Sequence, residues 1–542
     1  MASVARGGLG LGRMFQRKTV AQIQSELSHG ELKRTLGAVN LVLLGIGCII
    51  GTGIFVLTGR AAAQYAGPGI MISFIITGVL CALVALCYAE LASALPVSGS
   101  AYSYAYASMG EVVAWIMGVL MLLEYGLAAS VVALGWSGYF VSLLQDIHHL
   151  IPAIPTIPPE FTVAPGQAAV GAGGAMIAGV GVVNLPAIFI VILVTSLLCV
   201  GVSESATVNN IIVAIKLTVV IAFIGIGSMY VHPSLWSPLI PAETPAPPPG
   251  TPMDMYHQIT RALGAVLTGS AQSRYGISGV IQGAAVIFFA YLGFEAVSTA
   301  GTESRNPARD MPIGILGALG VCTVLYIATS AVLVGIVPYS SLDNPAPIAT
   351  AVNRLGLPWF AGLVKIGALA GLTSVILVLL YGQTRVFYTM SRDGLLPSQL
   401  AAVHKKFKTP WINTIIVGIA ACIAAGFMSL DVLSEVTNVG SLAAFTIVCV
   451  TVIYLRFSAP GLERPFKTPL FPVTPILGAL MCLVLFLSLW SHKATRDFFI
   501  VYLAVGIAFY FVFGIWNSKL RKGQVVAGHE ASPMELPHTG PD

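Results

Sequence analysis

The chain alternates long apolar runs with short polar segments. The runs fall at roughly residues 39–62, 69–95, 112–142, 184–202, 207–231, 279–300, 313–337, 359–388, 410–428, 433–456, 473–491 and 497–517. An α-helix rises 1.5 Å per residue, so about 20 residues cross the roughly 30 Å hydrocarbon core of a bilayer. The pattern predicts an all-α polytopic membrane protein of about twelve transmembrane helices. Two segments break the rhythm. Residues 143–183 and 232–278 are rich in Pro, Gly and Ala, including PAETPAPPPGTP at 241–252. They read as external loops or polyproline stretches, not as helices. Residues 19–34 read as a short surface helix and the tail from Gly523 as disordered. The first apolar run is too long and glycine-rich for a cleaved leader, so it reads as a retained anchor.

Composition supports this and removes alternatives. Of 542 residues, 56% are hydrophobic and 9% charged, with a mean hydropathy of +0.87. A soluble domain carries about 25% charged residues. A cytosolic enzyme, a nucleic-acid binder and a disordered chain are therefore excluded. The distribution of Lys and Arg sets orientation. Nineteen fall in the N-terminal segment, the loops after helices 6, 8 and 10, and the tail, against six in the remaining loops. The positive-inside rule then places both termini in the cytoplasm. Eight cysteines lie in the apolar runs without C-x-x-C spacing, which argues for buried thiols rather than disulfides or zinc.

Helices 1 and 6 carry unusual sequence at bilayer depth. Helix 1 reads GIGCIIGTGIF over 45–55, with four glycines in nine residues, and helix 6 reads FFAYLGFEAVST over 288–299. Close helix packing through small residues explains a glycine pair but needs fewer than helix 1 has. The two segments lie five helices apart, as in transporters built from inverted repeats with one broken helix each. A break exposes N–H groups that bind a carboxylate and carbonyls that bind an ammonium group, a pairing suited to a zwitterion. This divides the chain into a cytoplasmic segment 1–38, a first repeat 39–231, an external loop 232–278, a second repeat 279–456, helices 11–12 at 457–517 and a cytoplasmic tail 518–542.

Ionisable residues inside apolar runs cost a few kcal/mol each and default to function. Glu124 lies midway along helix 3 and Lys216 midway along helix 5, with about nine or ten apolar residues on either side that prevent snorkelling. Both read as groups on a proton or substrate pathway, against a purely structural buried pair. Glu295, just past the helix 6 break, either ligands substrate or caps backbone groups there. Glu90, near the end of helix 2, reads as structural. No H-E-x-x-H, G-x-S-x-G or Walker A pattern occurs, so hydrolase and ATP-driven chemistry have no residues to carry them.

These segments resemble the amino acid–polyamine–organocation superfamily, in particular bacterial homologues of the cationic amino acid transporters. Further matching pieces are CYAELASALPVSGSAYSY at 87–104, EYGLA at 124–128, VAIK at 213–216, ESRNPARDMPIGI at 303–315 and YGQTRVFYTMSRDGLLP at 381–397. The resemblance covers residues 30–520. It implies the five-plus-five inverted repeat of the leucine-transporter fold, plus two helices. It implies proton-coupled amino acid symport with no cofactor besides the proton. It implies that the substrate carboxylate meets backbone near Ile49, Gly51, Thr52 and Gly53, and the ammonium meets carbonyls of Phe289, Ala290 and Leu292, with Phe289 as a gate. Lys216 would place its amine where sodium sits in sodium-coupled relatives, and Glu124 would be the proton-linked carboxylate. Leu379, at the side-chain pocket position, restricts depth and offers no partner to a cationic head, which favours neutral, small to medium L-amino acids. A sodium-independent exchanger, a cationic amino acid or polyamine carrier, and a non-transporting amino acid sensor are the alternatives. Cationic transporters of eukaryotes typically have fourteen spans; the twelve here fit the bacterial branch. The long external loops depart from that compact pattern and leave room for a small accessory membrane subunit.

Overall fold

The computed structural model describes residues 17, 36–95, 100–171, 176–201, 206–245, 255–268, 274–301, 303–407 and 409–522. The surface helix expected at 19–34 and the tail from Gly523 lie outside the described residues.

Among the described residues, nine helical segments are long and apolar enough to cross a membrane, and three shorter apolar helices, Ala38–Ile49, Leu185–Val200 and Trp411–Phe427, bring the apolar passes to twelve. Span 1 is Ala38–Ile49, continued after a break by Gly53–Leu57, Thr58–Ala61 and Ala62–Ala66. Spans 2 to 5 are Ile70–Ala94, Glu111–Leu150, Leu185–Val200 and Ala206–Ser228. Span 6 is Gly276–Ile287, Phe288–Tyr291 and, past a second break, Glu295–Ala300. Spans 7 to 11 are Pro307–Ile336, Pro358–Arg392, Trp411–Phe427, Leu430–Ser458 and Val473–Trp490, and span 12 is Lys493–Asn517. Even parity puts the described ends of the chain, Leu36 and Lys522, at the same end of the bundle.

Local chemistry sets many boundaries. Span 4 begins where Asn184 accepts from the Ala187 N–H at 3.0 Å, with Pro186 in the first turn, and ends at Gly201 with φ 88°. Proline opens spans 7 and 8, where its missing N–H costs nothing. Ser429 caps span 10 through the Val432 N–H.

Large apolar side chains occupy both the interior and the outer surface. Phe55, Phe74, Tyr88 and Tyr291 are buried, while Ile75, Val324, Ile419 and Val505 are exposed along the length of their spans. Such an outer surface is stable only in hydrocarbon. Span 3 packs along spans 8 and 10, and span 7 packs along spans 1 and 2, so spans 1 and 6 are enclosed by the others.

The two segments expected to be loops hold more order than their composition suggests. Span 3 continues to Leu150, and an antiparallel pair of two-residue strands follows, with Ala169 opposite Ile177. Met255–Thr268 is a helix. The proline run stops just before it, and its apolar positions 255, 259, 262, 263 and 266 repeat at helical spacing. Averaging composition over the whole loop hides that period.

Candidate functional site

Span 1 leaves helical geometry at Ile50, with φ −73° and ψ 98°, and resumes at Thr52. Span 6 leaves it at Leu292, ψ 138°, followed by Gly293 at φ 114°. A side chain is strained at that φ, and glycine is not. The two breaks touch. Gly53 lies so close to Ala290 that no Cβ fits between them, and a Cβ on Gly293 would sit 2.8 Å from the Cys48 carbonyl carbon. Ile49, Gly51, Thr52, Gly53, Phe289, Ala290 and Leu292 are thus gathered at one buried crossing. Val375 of span 8 packs 3.4 Å from where a Gly51 Cβ would be, and Leu379, one turn further along, is also buried.

Polar side chains from the surrounding spans hold backbone carbonyls along the two broken spans. In span 1, the Lys216 ammonium donates to the Gly47 carbonyl at 2.8 Å, the Tyr326 hydroxyl to Ile49 at 2.8 Å and the Tyr139 hydroxyl to Phe55 at 2.8 Å. In span 6, Ser73 donates to Val280 at 2.8 Å, and Thr77 to Ala284 at 3.0 Å. Asn438 donates to both Ala285 and Val286, at 2.9 and 3.0 Å. Past the break, the Gly293 N–H donates to a Glu295 carboxylate oxygen at 2.8 Å. Of the two roles open to Glu295, capping the break is therefore the one this geometry displays. The Phe289 carbonyl already accepts from the Leu292 N–H, which leaves it one lone pair for a ligand.

Lys216 is fully buried, so its amine reaches the protein backbone and not the membrane surface. Glu124 is buried, and its carboxyl faces the Glu295 carboxyl and the Ser441 hydroxyl. The Oε1 of Glu124 has no hydrogen-bond partner among the described residues, nor does Oγ1 of Thr52 at the span 1 break. Among the described residues no group of three or more metal-ligating side chains forms.

Charge clusters tie the spans together at both ends. At the end away from the chain termini, Arg60 bridges Asp343 at 3.3 Å and Asp431 at 2.9 Å, and Glu435 meets His492 at 2.8 Å and Thr495 at 2.6 Å. Hydrogen bonding to the Glu435 carboxylate raises the pKa of His492, with burial opposing it. At the other end Glu90 accepts two bonds of 2.7 Å from Arg456 and one of 2.7 Å from the Thr468 N–H, which bears out its structural reading. Glu111 there joins Tyr106, Tyr510 and Arg521, at 3.0, 2.9 and 3.1 Å, and Ser518. Lys365, at the edge of an apolar run, is buried and paired with Asp146 of span 3.

Sequence reasoning missed Tyr326, Tyr139, Ser73, Thr77 and Asn438. Tyrosine, serine and threonine in an apolar run attract no notice, although Asn438 in mid-span is a signal that was available.

The model of one protein family, described as "Amino acid permease", matches residues 36–512. The chain belongs to the amino acid permease family. The permease is 43% identical over 512 residues to a "Methylthioribose transporter" of Bacillus subtilis, which covers 94% of this chain and 100% of that one. It is 41% identical to the "Branched-chain amino acid permease BcaP" of the same organism, with the same two shares. A vacuolar "Cationic amino acid transporter 4" of Arabidopsis thaliana is 35% identical, over 83% of the permease and 68% of its own length. The permease is accordingly a multi-span membrane transporter and not an enzyme. The interrupted spans 1 and 6 and the two additional spans at the C-terminal end agree with the architecture that the sequence implied.

Proposed function

We propose that this permease imports neutral, small to medium L-amino acids across the plasma membrane, in symport with protons, by alternating access. Both termini are then cytoplasmic, as the distribution of Lys and Arg favours. The observation that carries the reading is the contact between the two breaks, with Lys216 on the carbonyl end of one and Glu295 on the N–H end of the other. Separation of the breaks opens N–H groups at Gly51–Gly53 to a carboxylate, and carbonyls at Ala290 and Leu292 to an ammonium group. Val375 and Leu379 present an apolar wall to the side chain and no partner for a cationic head. The branched-chain permease among the relatives supports a neutral aliphatic substrate.

Proton coupling rests on three buried groups. An ammonium at Lys216 can hold span 1 without a sodium ion. Two facing carboxyls can share one proton, so Glu124 and Glu295 form a carrier whose state is felt directly at the span 6 break. Protonation of Glu295 weakens its hold on the Gly293 N–H and frees that end of the break.

A second reading is favoured by the methylthioribose transporter, the relative of 43% identity. One experiment separates the two. Purified permease in proteoliposomes is given an inward proton gradient in sodium-free buffer, with labelled alanine, leucine, arginine or methylthioribose. Accumulation of alanine or leucine that a protonophore collapses supports the proposal. Accumulation of methylthioribose in their place supports the second reading. Uptake of arginine in excess of both neutral amino acids refutes the neutral preference. Uptake confined to vesicles preloaded with amino acid makes the permease an exchanger.

A further inference from the structure

The helix Met255–Thr268 has three faces where a surface helix in water has two. It packs against spans 6 and 11, and Ala262 and Val266 are its buried residues. A polar side is formed by His257, Gln258, Arg261 and Thr268, with Arg261 paired to Glu243. About a quarter turn from the Ala262–Val266 ridge runs a third strip, made of Tyr256, Leu263 and Leu267. Tyr256 is 70% and Leu267 68% exposed.

We propose that this helix rests in the headgroup region of the leaflet at the end away from the chain termini, with Tyr256, Leu263 and Leu267 dipping into the acyl boundary. Its place in the chain requires that end, because it lies between the end of span 5 at Ser228 and the start of span 6 at Gly276. The order of its faces supplies the orientation. A helix beside a bundle at a bilayer surface needs protein at its flank, hydrocarbon below and water above, and the strip lies between the protein-facing ridge and the polar side. Lipid-facing surface also lies below the helix. Span 11, one of its two packing partners, exposes Leu477, Leu480 and Leu483 along its length. The phenol of Tyr256 suits the boundary, having an apolar ring and a polar tip. A protein partner is a poor match. A strip three side chains wide is far below the 1,200 Å² or more, roughly, that a stable protein interface buries.

The helix would then brace the outer half of span 6 against the bilayer and link lipid packing to the break. The test uses full-length permease with p-benzoylphenylalanine in place of Tyr256 or of Leu267. It is reconstituted in vesicles of phosphatidylethanolamine and phosphatidylglycerol and illuminated, and the adducts are read by mass spectrometry. Phospholipid adducts are expected at both positions, several-fold above those from the same label at His257 on the polar side. Adducts to a second copy of the chain, or equal lipid yields at all three positions, overturn the proposal. Leu267→Trp gives a reading that tolerates failure of the labelled proteins. Its added fluorescence should be quenched more by lipids brominated near the headgroup than by lipids brominated at the chain end, and absence of quenching overturns the proposal.

Discussion

The breaks in spans 1 and 6 solve one problem with opposite charges. The first half of span 1 ends in carbonyls, the negative end of a helix, and the Lys216 ammonium sits on the Gly47 carbonyl in its last turn. The second half of span 6 begins with N–H groups, the positive end, and the Glu295 carboxylate accepts from Gly293. A charge placed against the complementary helix end contributes about 0.3–2 kcal/mol, the upper part of that range applying to buried geometry. A neutral donor or acceptor would satisfy the same backbone groups. In the function proposed above, ionisable ones are what would make each break responsive to a proton, and in opposite senses. Under the proposed proton coupling, loss of a proton from Lys216 would weaken its hold on span 1, while gain of one by Glu295 would weaken its hold on span 6. The neutral partners, Tyr326 and Asn438, hold the adjoining turns whatever the protonation state.

Removing one charge at a time breaks the comparison. The largest expected effect is that of Lys216→Ala, which leaves the Gly47 carbonyl without its ammonium. Proton-driven accumulation in proteoliposomes should fall more than about tenfold, an effect of about 1.4 kcal/mol or more on the transport barrier. Substrate binding, measured by calorimetry, should fall less. Full accumulation in this variant would show that span 1 does not need the charge.

Closeness of the breaks is tested by Gly53→Ala. The added methyl collides with Ala290, so the crossing must separate. Overpacking of this kind costs about 1–3 kcal/mol, and the melting temperature in detergent should fall accordingly. An unchanged melting temperature would mean that the contact is easily relieved.

Glu295→Gln keeps an acceptor for the Gly293 N–H but cannot titrate. Its melting temperature should stay near the parent's, while the pH dependence of uptake flattens. Glu295→Ala should lose stability as well, by about 1–3 kcal/mol for the unsatisfied buried group. Equal behaviour of the two variants would argue against a titrating role. Among the neutral partners, Tyr326→Phe should cost about 1 kcal/mol and leave the pH profile of uptake in place.

The smallest effect is expected outside the membrane-spanning segments. His492, raised in pKa by its bond to Glu435, ties the turn between spans 11 and 12 to span 10. Because the raised value belongs to the folded state, its contribution is fully present below the ordinary histidine value and is lost as the pH rises through the raised one. The melting temperature should therefore decline across that window in the parent and not in His492→Gln.

The extent of the spans was legible because hydrocarbon thickness imposes a length, and a run of apolar residues meets it with little dependence on its neighbours. The breaks were legible for a related reason. Four glycines between Gly45 and Gly53, and charges at Glu124, Lys216 and Glu295, are costly at bilayer depth unless the fold uses them. What remained hidden depends on contacts between distant segments. Tyr326 lies 277 residues from the Ile49 carbonyl that it holds, and Asn438 lies 153 residues from Ala285. No periodicity in one helix specifies which side chain of another will meet its freed backbone. The helix Met255–Thr268 stayed hidden because a neighbouring proline run dominated the composition of its loop. By itself, then, the sequence determined where the apolar helices run, where two of them fail and which charges are buried. The tertiary structure alone decided which backbone group each charge answers, since a hydrogen bond needs its partner within about 3 Å and only packing brings it there.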